Sequence, residues 1–210
     1  MREILPDVFL VPQNGGKGFG YSHLVRRPAG NLVLDASRVG SLSDAFEAMA
    51  ERGGVKAVVI SDRHLGGVST NQIAERFGAA VYCSEIEAAA LSGRAEKVRI
   101  DHLLPFVRTR IEGDVDLIPT PGHTPGQFST LVEVAGTRVL FTADFVWRED
   151  GQWRPGSPSR KKMAASFEGL RDLAFDVVAP WTGYGQTETF VPVTSVDATV
   201  DAMIASCSQP

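Results

Sequence analysis

Apolar positions in the first forty residues alternate or fall in short blocks, Val8–Val11, Tyr21–Val25 and Asn31–Asp35, between Gly- and Pro-rich stretches. Such blocks predict strands joined by turns. The period changes over Ser41–Arg52, where Leu42, Phe46 and Met49 share one helical face and Ser41 with Asp44 has capping-box spacing. Lys56–Ser61 (KAVVIS) runs apolar without a break, as a strand covered on both faces requires. A helix is predicted over Ser69–Phe77, opened by Ser69 and Gln72. A strand follows over Ala79–Cys83, and Ser84 with Glu87 opens another helix.

The second half has the same style. Val115–Pro119 reads as a strand, PTPGHTPGQF as a loop, and Ser129–Val134 with Thr137–Thr142 as a pair around the turn Ala135–Gly136. Arg148–Lys162 is polar and rich in Pro and Gly, so it reads as a surface excursion without an element of its own. Phe167, Leu170 and Leu173 then share a helical face within Ala164–Leu173, and Asp176–Ala179 is a strand leading into PWTGYGQ. Two strand-rich halves, each ending in helices, predict an α+β fold. The expected form is a four-layer αββα sandwich of two mixed β-sheets with helices on the outer faces, in a single domain over residues 1–210.

Composition changes this picture in only a few places. A hydrophobic share of 43% with 22% charged residues is ordinary for a globular chain, and disorder is not indicated. The net charge of −4 argues against a nucleic-acid binder, whose affinity comes mostly from cations on phosphate. The start, MREILPDVFLVPQ, is too short and too acidic for a signal segment, and no later stretch approaches a membrane span. A cytoplasmic protein is expected, with a small-molecule substrate and neither nucleic acid nor membrane as partner. Cys83 and Cys207 match no metal spacing and read as a buried residue and one in a frayed tail. The four histidines are the limiting count, since a histidine-dense metal site would need nearly all of them.

Three loops follow apolar strands directly, where αβ proteins gather their ligands: Ser61–Thr70 (SDRHLGGVST), Thr120–Gln127 (TPGHTPGQ) and Thr142–Phe145 (TADF). They carry His64, His123 and Asp144, and Asp62 adds a further carboxylate. Neutral imidazole and ionised carboxylate are ordinary zinc or iron ligands.

PTPGHTPG followed, after a hairpin, by VLFTADF resembles the metallo-β-lactamase superfamily. The resemblance extends to Asn31–Ser37 (NLVLDAS), to Lys56–Cys83, and to Ser166–Pro180 before the family's last metal loop. The chain also departs from that pattern. Where the family reads His-x-His-x-Asp-His, an ungapped alignment on Ser61 puts Asp62 at the first His, keeps His64 as the second, and puts Gly66 and Gly67 at the last two ligands. A rival register matches His64–Gly67 to the family's closing His-x-Gly-Gly; the ungapped one is preferred here because it aligns the following helix. Near the end PWTGYG replaces Pro-Gly-His-Gly, with Tyr184 the nearest substitute and a phenol a poor zinc ligand.

Carried over position by position, the resemblance implies metal ligands Asp62, His64, His123 and Asp144, with Asp62 or Asp144 also taking a proton in catalysis. Asp35 would orient a ligand from behind, and Tyr184 would stand on the substrate side. A two-ion mechanism lacks its ligands, which leaves one zinc or iron ion, or none. The leading expectation is a one-metal hydrolase of a small ester, thioester, amide or phosphoester. The alternatives are a non-catalytic binding scaffold and, on the two-histidine, one-carboxylate subset, a mononuclear iron oxygenase. His23 is expected half-exposed in its strand and His102 at the surface. The basic excursion Arg148–Lys162, flanked by Trp147 and Trp153, reads as a solvated loop or as a lid that greets an anion. Asn14–Gly20 (NGGKGFG) reads as a flexible loop near the site mouth.

Overall fold

The run KAVVIS sorts its side chains strictly by parity. Val58 and Ile60 enter one apolar cluster while Ala57 and Val59 enter another, because successive strand residues face opposite ways. A strand that buries both faces needs a layer on each side, and the fold supplies both. The computed structural model describes residues 1–12, 21–93, 97–156, 159–181 and 188–208.

The first sheet runs β1 (Arg2–Leu5), β2 (Val8–Pro12), β3 (Tyr21–Val25), β4 (Leu32–Leu34), β5 (Ala57–Ile60), β6 (Ala80–Ser84) and β7 (His102–Leu104), in that spatial order. It is antiparallel up to β4 and parallel from β4 to β7. Its parallel crossovers are α1 (Leu42–Glu51), α2 (Val68–Phe77) and α3 (Glu85–Ser92). The second half contributes β8 (Thr109–Ile111), β9 (Val115–Pro119), β10 (Phe128–Val134) and β11 (Thr137–Ala143). A separate hairpin follows, β12 (Val146–Glu149) with β13 (Gln152–Pro155), and then α4 (Arg160–Glu168), β14 (Val177–Pro180), β15 (Val191–Pro192) and α5 (Val196–Ser206). The second sheet is ordered β15-β14-β11-β10-β9-β8, with β11 and β14 parallel.

Three apolar clusters separate four layers. Phe9, Met49, Val58, Ile73 and Leu91 lie between the first sheet and its helices, and Val8, Leu34, Val59, Phe128 and Phe141 lie between the sheets. Leu140, Phe145, Met163, Phe167 and Met203 lie between the second sheet, α4 and α5. This is the αββα sandwich the patterning predicts. Each fully buried large aliphatic or aromatic side chain contributes about 1.5–3 kcal/mol through removal from water, so the three seams carry most of the stabilisation. Among the described residues, no helix is long and apolar enough to cross a membrane.

Several local expectations are revised. Ser41 heads α1 without a side-chain cap bond, and α2 begins one residue earlier than expected, with Gly67 as its cap and the Thr70 hydroxyl accepting from the Gly67 N–H. The Ser69 hydroxyl instead accepts from Val39 N–H, a long-range bond that a capping reading overlooks. Ser84 does cap α3, accepting from Glu87 N–H. The polar stretch after Asp144 is a hairpin followed by the first turn of α4, because Val146 and Trp153 face inward on the third cluster. His23 is buried, packed edge-on against Phe141 with ring centroids 5.0 Å apart, because its strand is covered by the second sheet. Burial holds its imidazole down to about 4. His102 is exposed as expected, stacked on Tyr82. Cys207, expected in a tail, is the C-cap of α5. Asn14–Gly20 and Tyr184 lie outside the described residues.

Candidate metal centre

The three ligand loops leave the ends of β5, β9 and β11, which lie at one edge of the sandwich. At the end of β11 and, beside these strands, after β4, a residue without glycine's freedom takes the left-handed conformation: Ala143 just before Asp144, at φ 52°, and Asp35, at φ 63°. Each such residue costs roughly 1–2 kcal/mol, a strain that surrounding structure must hold in place and that gathers at functional sites.

Asp62 is fully buried. Its Oδ1 accepts from the His64 N–H at 2.6 Å, which turns the loop sharply, and its Oδ2 accepts no hydrogen bond among the described residues. His64 Nδ1 lies 3.0 Å from His123 Nε2 and 3.6 Å from Asp62 Oδ1. His123 Nε2 lies 3.1 Å from Asp144 Oδ2 and 3.7 Å from Asp62 Oδ2, while the other Asp144 oxygen is buried and unpartnered. One donor atom from each of the four residues lies within 4.8 Å of the others.

Two checks decide whether a metal ion fits. Ligand bonds of about 2.0 Å at a tetrahedral angle set donors about 3.3 Å apart; the two histidines and Asp144 meet that through His123, at 3.0 and 3.1 Å, while the four donor atoms together spread over as much as 4.8 Å. Two buried carboxylate oxygens without partners are costly unless a cation or proton meets them. Burial, and then the neighbouring Asp144 charge, push the Asp62 carboxyl well above its usual range. Burial works against the Asp144 charge too, but the His123 ring and Asp62 beside it outweigh that and hold its carboxyl low. Crowded acceptors of this kind, two nitrogen and two oxygen donors, suit zinc or iron.

His123 is oriented from behind. Its Nδ1 donates to the carbonyl of Gly156, just past β13, which leaves Nε2 as the free donor atom. Gly156 in turn donates its N–H to Phe145 O at 2.8 Å, and a Cβ at Gly156 would stand 1.8 Å from Asp144 O. Only glycine lets the hairpin end press this closely on the Asp144 turn. Asp35 accepts from Ser61 N–H at 2.8 Å and from Ser61 Oγ at 3.0 Å, one residue before Asp62, and burial raises its carboxyl to about 7.

Glu87 has a larger role than its sequence position suggests. Fully buried on α3, it accepts from Arg63 N–H, Nε and Nη2 and from Gly126 N–H at 2.7 to 3.0 Å. One carboxylate thus ties the loop bearing His64 to the loop bearing His123. Capping-box spacing marked Glu87 only as a helix opener. Its partners lie 24 and 39 residues away, beyond any local signal.

Gly66 and Gly67 contribute no ligands. A Cβ at Gly67 would meet Ser37 O at 2.5 Å, and one at Gly66 would press on Ile60 at 3.1 Å.

A family model described as the metallo-beta-lactamase superfamily matches residues 15–182. The chain belongs to the metallo-beta-lactamase superfamily. Solved structures with the same fold include a metallo-beta-lactamase from Staphylococcus aureus subsp. aureus COL, with a TM-score of 0.67 and 22% identity over 97% of this chain and 63% of that one. A metallo-beta-lactamase of Cronobacter sakazakii with a HARLDQ motif has a TM-score of 0.63 and 21% identity over 86% of this chain and 80% of its own. A beta-lactamase from Chitinophaga pinensis has a TM-score of 0.64 and 18% identity over 95% and 89%. No curated protein matches the chain in sequence. Within the superfamily fold, this chain keeps a four-residue candidate metal cluster.

Proposed function

We propose that this superfamily member is a one-metal hydrolase acting on a small ester, thioester, amide or phosphoester. The observation that carries the reading is the convergence of Asp62, His64, His123 and Asp144 with two carboxylate oxygens left unpartnered. A zinc or iron ion held by these four would supply Lewis acidity and a water of lowered pKa. The chain's own residues do the rest. Gly156 fixes the tautomer that presents His123 Nε2. Asp35 anchors Ser61 and so sets the entry of Asp62. The free oxygen of Asp62 or Asp144 accepts the proton of the nucleophilic water.

Elemental analysis of the purified protein beside a His123→Ala/Asp144→Ala variant tests the centre. One ion per chain, lost in the variant, is expected. No stoichiometric ion after growth with zinc and iron supplements would overturn the reading. A panel of esters, thioesters, amides and phosphoesters then tests turnover. The close-packed Gly66 and Gly67, which remove ligands for a second ion, favour a second reading in which the fold is kept as a non-catalytic binding scaffold. Metal-dependent turnover abolished by His123→Ala would eliminate that reading.

A further inference from the structure

A cleft of about 790 Å³ opens between the PGHTPG loop and α4, with His123 in its wall. That volume lies within the usual range for small-molecule sites. Its walls are mainly apolar, from Ile118, Pro121, Pro125 and Ala165, and Lys162 is the cation that lines it. The cleft therefore offers apolar surface and one positive charge beside the candidate centre.

The first turn of α4 supplies an independent reason to expect an anion. It reads Arg160, Lys161, Lys162 with no acidic residue, at the end where the helix dipole is already positive. Cations are disfavoured there and anions favoured. None of the three makes an ion pair with a described residue, whereas Arg63, Arg138 and Arg171 are all paired with carboxylates. Of the three, Lys162 lines the cleft, where a bound anion would meet its charge.

We propose that this cleft binds the anionic, part-apolar portion of a small-molecule ligand, with Lys162 as its counter-ion. Assigning that ligand as the substrate rests on the hydrolase reading; the binding itself does not. Apolar contact with the prolines and Ala165 holds the body of the ligand, and the charge at Lys162 sets its direction, so that the other end of the ligand points toward His123.

Titration calorimetry on chelator-treated protein tests the cleft apart from the metal. Phenyl phosphate and phenylacetate present the two common anions on one apolar ring, and phenylacetamide is the neutral control. At least one anion is expected to bind more tightly than the amide, with affinity falling as salt rises. Lys162→Gln should weaken that anion about fivefold, as for a moderately exposed ion pair, while Lys162→Arg keeps it. Arg138→Gln, at a remote exposed pair, should change nothing. Equal binding of amide and anions, an unchanged isotherm in Lys162→Gln, or no binding at all would each overturn the proposal. Metal content measured on the same preparations separates the two readings: loss of the ion-binding result leaves the isotherms standing, and the reverse.

Discussion

The two halves of the sandwich hold their ligands differently. The second half presents His123 and Asp144 sheltered, at 19% and 15% side-chain exposure, with the Gly156 carbonyl behind the ring and a left-handed Ala143 aiming the carboxylate. The first half offers a fully buried Asp62 beside a His64 whose ring is 51% exposed. The backing is therefore heaviest on the β9–β11 side, and the β5 loop contributes one fully buried donor and one half-exposed donor. A ligand fixed before the ion arrives loses little entropy on binding, so the two histidines should differ in worth.

The sharpest way to break this contrast is to remove ligands singly. His123→Ala or Asp144→Ala should weaken zinc affinity by more than about 100-fold, since losing even an outer partner costs 10–100-fold. His64→Ala should cost clearly less. Competition with a chromogenic chelator measures all three, and equal losses would show that the asymmetry has no energetic meaning.

Glu87 joins the two halves, and its removal should be felt in both stability and metal binding. Glu87→Ala leaves Arg63 and the Gly126 N–H without their acceptor, a change expected to lower stability by about 3 kcal/mol in urea titrations. Gly156→Ala forces a Cβ against Asp144 O and should reduce zinc affinity by about 10-fold or more, with a smaller loss of stability of about 1–2 kcal/mol. If Gly156→Ala binds zinc like the parent, the backing of His123 does not matter.

His23 probes the seam between the halves, where it meets Phe141. The fold favours its neutral form, so its contribution to stability is whole above the ordinary 6.5 and is lost as the pH falls toward about 4, because the unfolded chain binds the extra proton. The loss should reach about 2–3 kcal/mol at pH 4. Denaturant titrations from pH 7 to 4 should show a shallower decline in His23→Gln. The smallest expected effect is at the half-exposed Arg138–Asp176 pair, where Arg138→Ala should leave the urea midpoint unchanged within error.

The contrast also marks what a local reading can find. His64, His123 and Asp144 were legible because each follows an apolar strand whose parity and length are written in adjacent residues. The helix Val196–Ser206 carries a readable local signal, a Ser195 cap with Val200 and Met203 inside. The hairpin from Val146 to Pro155 was hidden because its polar, Pro- and Gly-bearing sequence gives only two inward residues to count. β7, β8 and β15 are two or three residues long, too short for any period to register.

Local patterning carries the layers and three candidate strand-end ligands, because side-chain periodicity and turn residues act over a few positions. The sequence also carries the scarcity of histidine, four in all, that limits how many imidazoles a site can hold. Only the tertiary structure decided that Gly156 backs His123, that Glu87 clamps both loops, and that His23 is sealed between sheets. Those contacts join residues tens of positions apart, and their geometry exists only once the two sheets have packed.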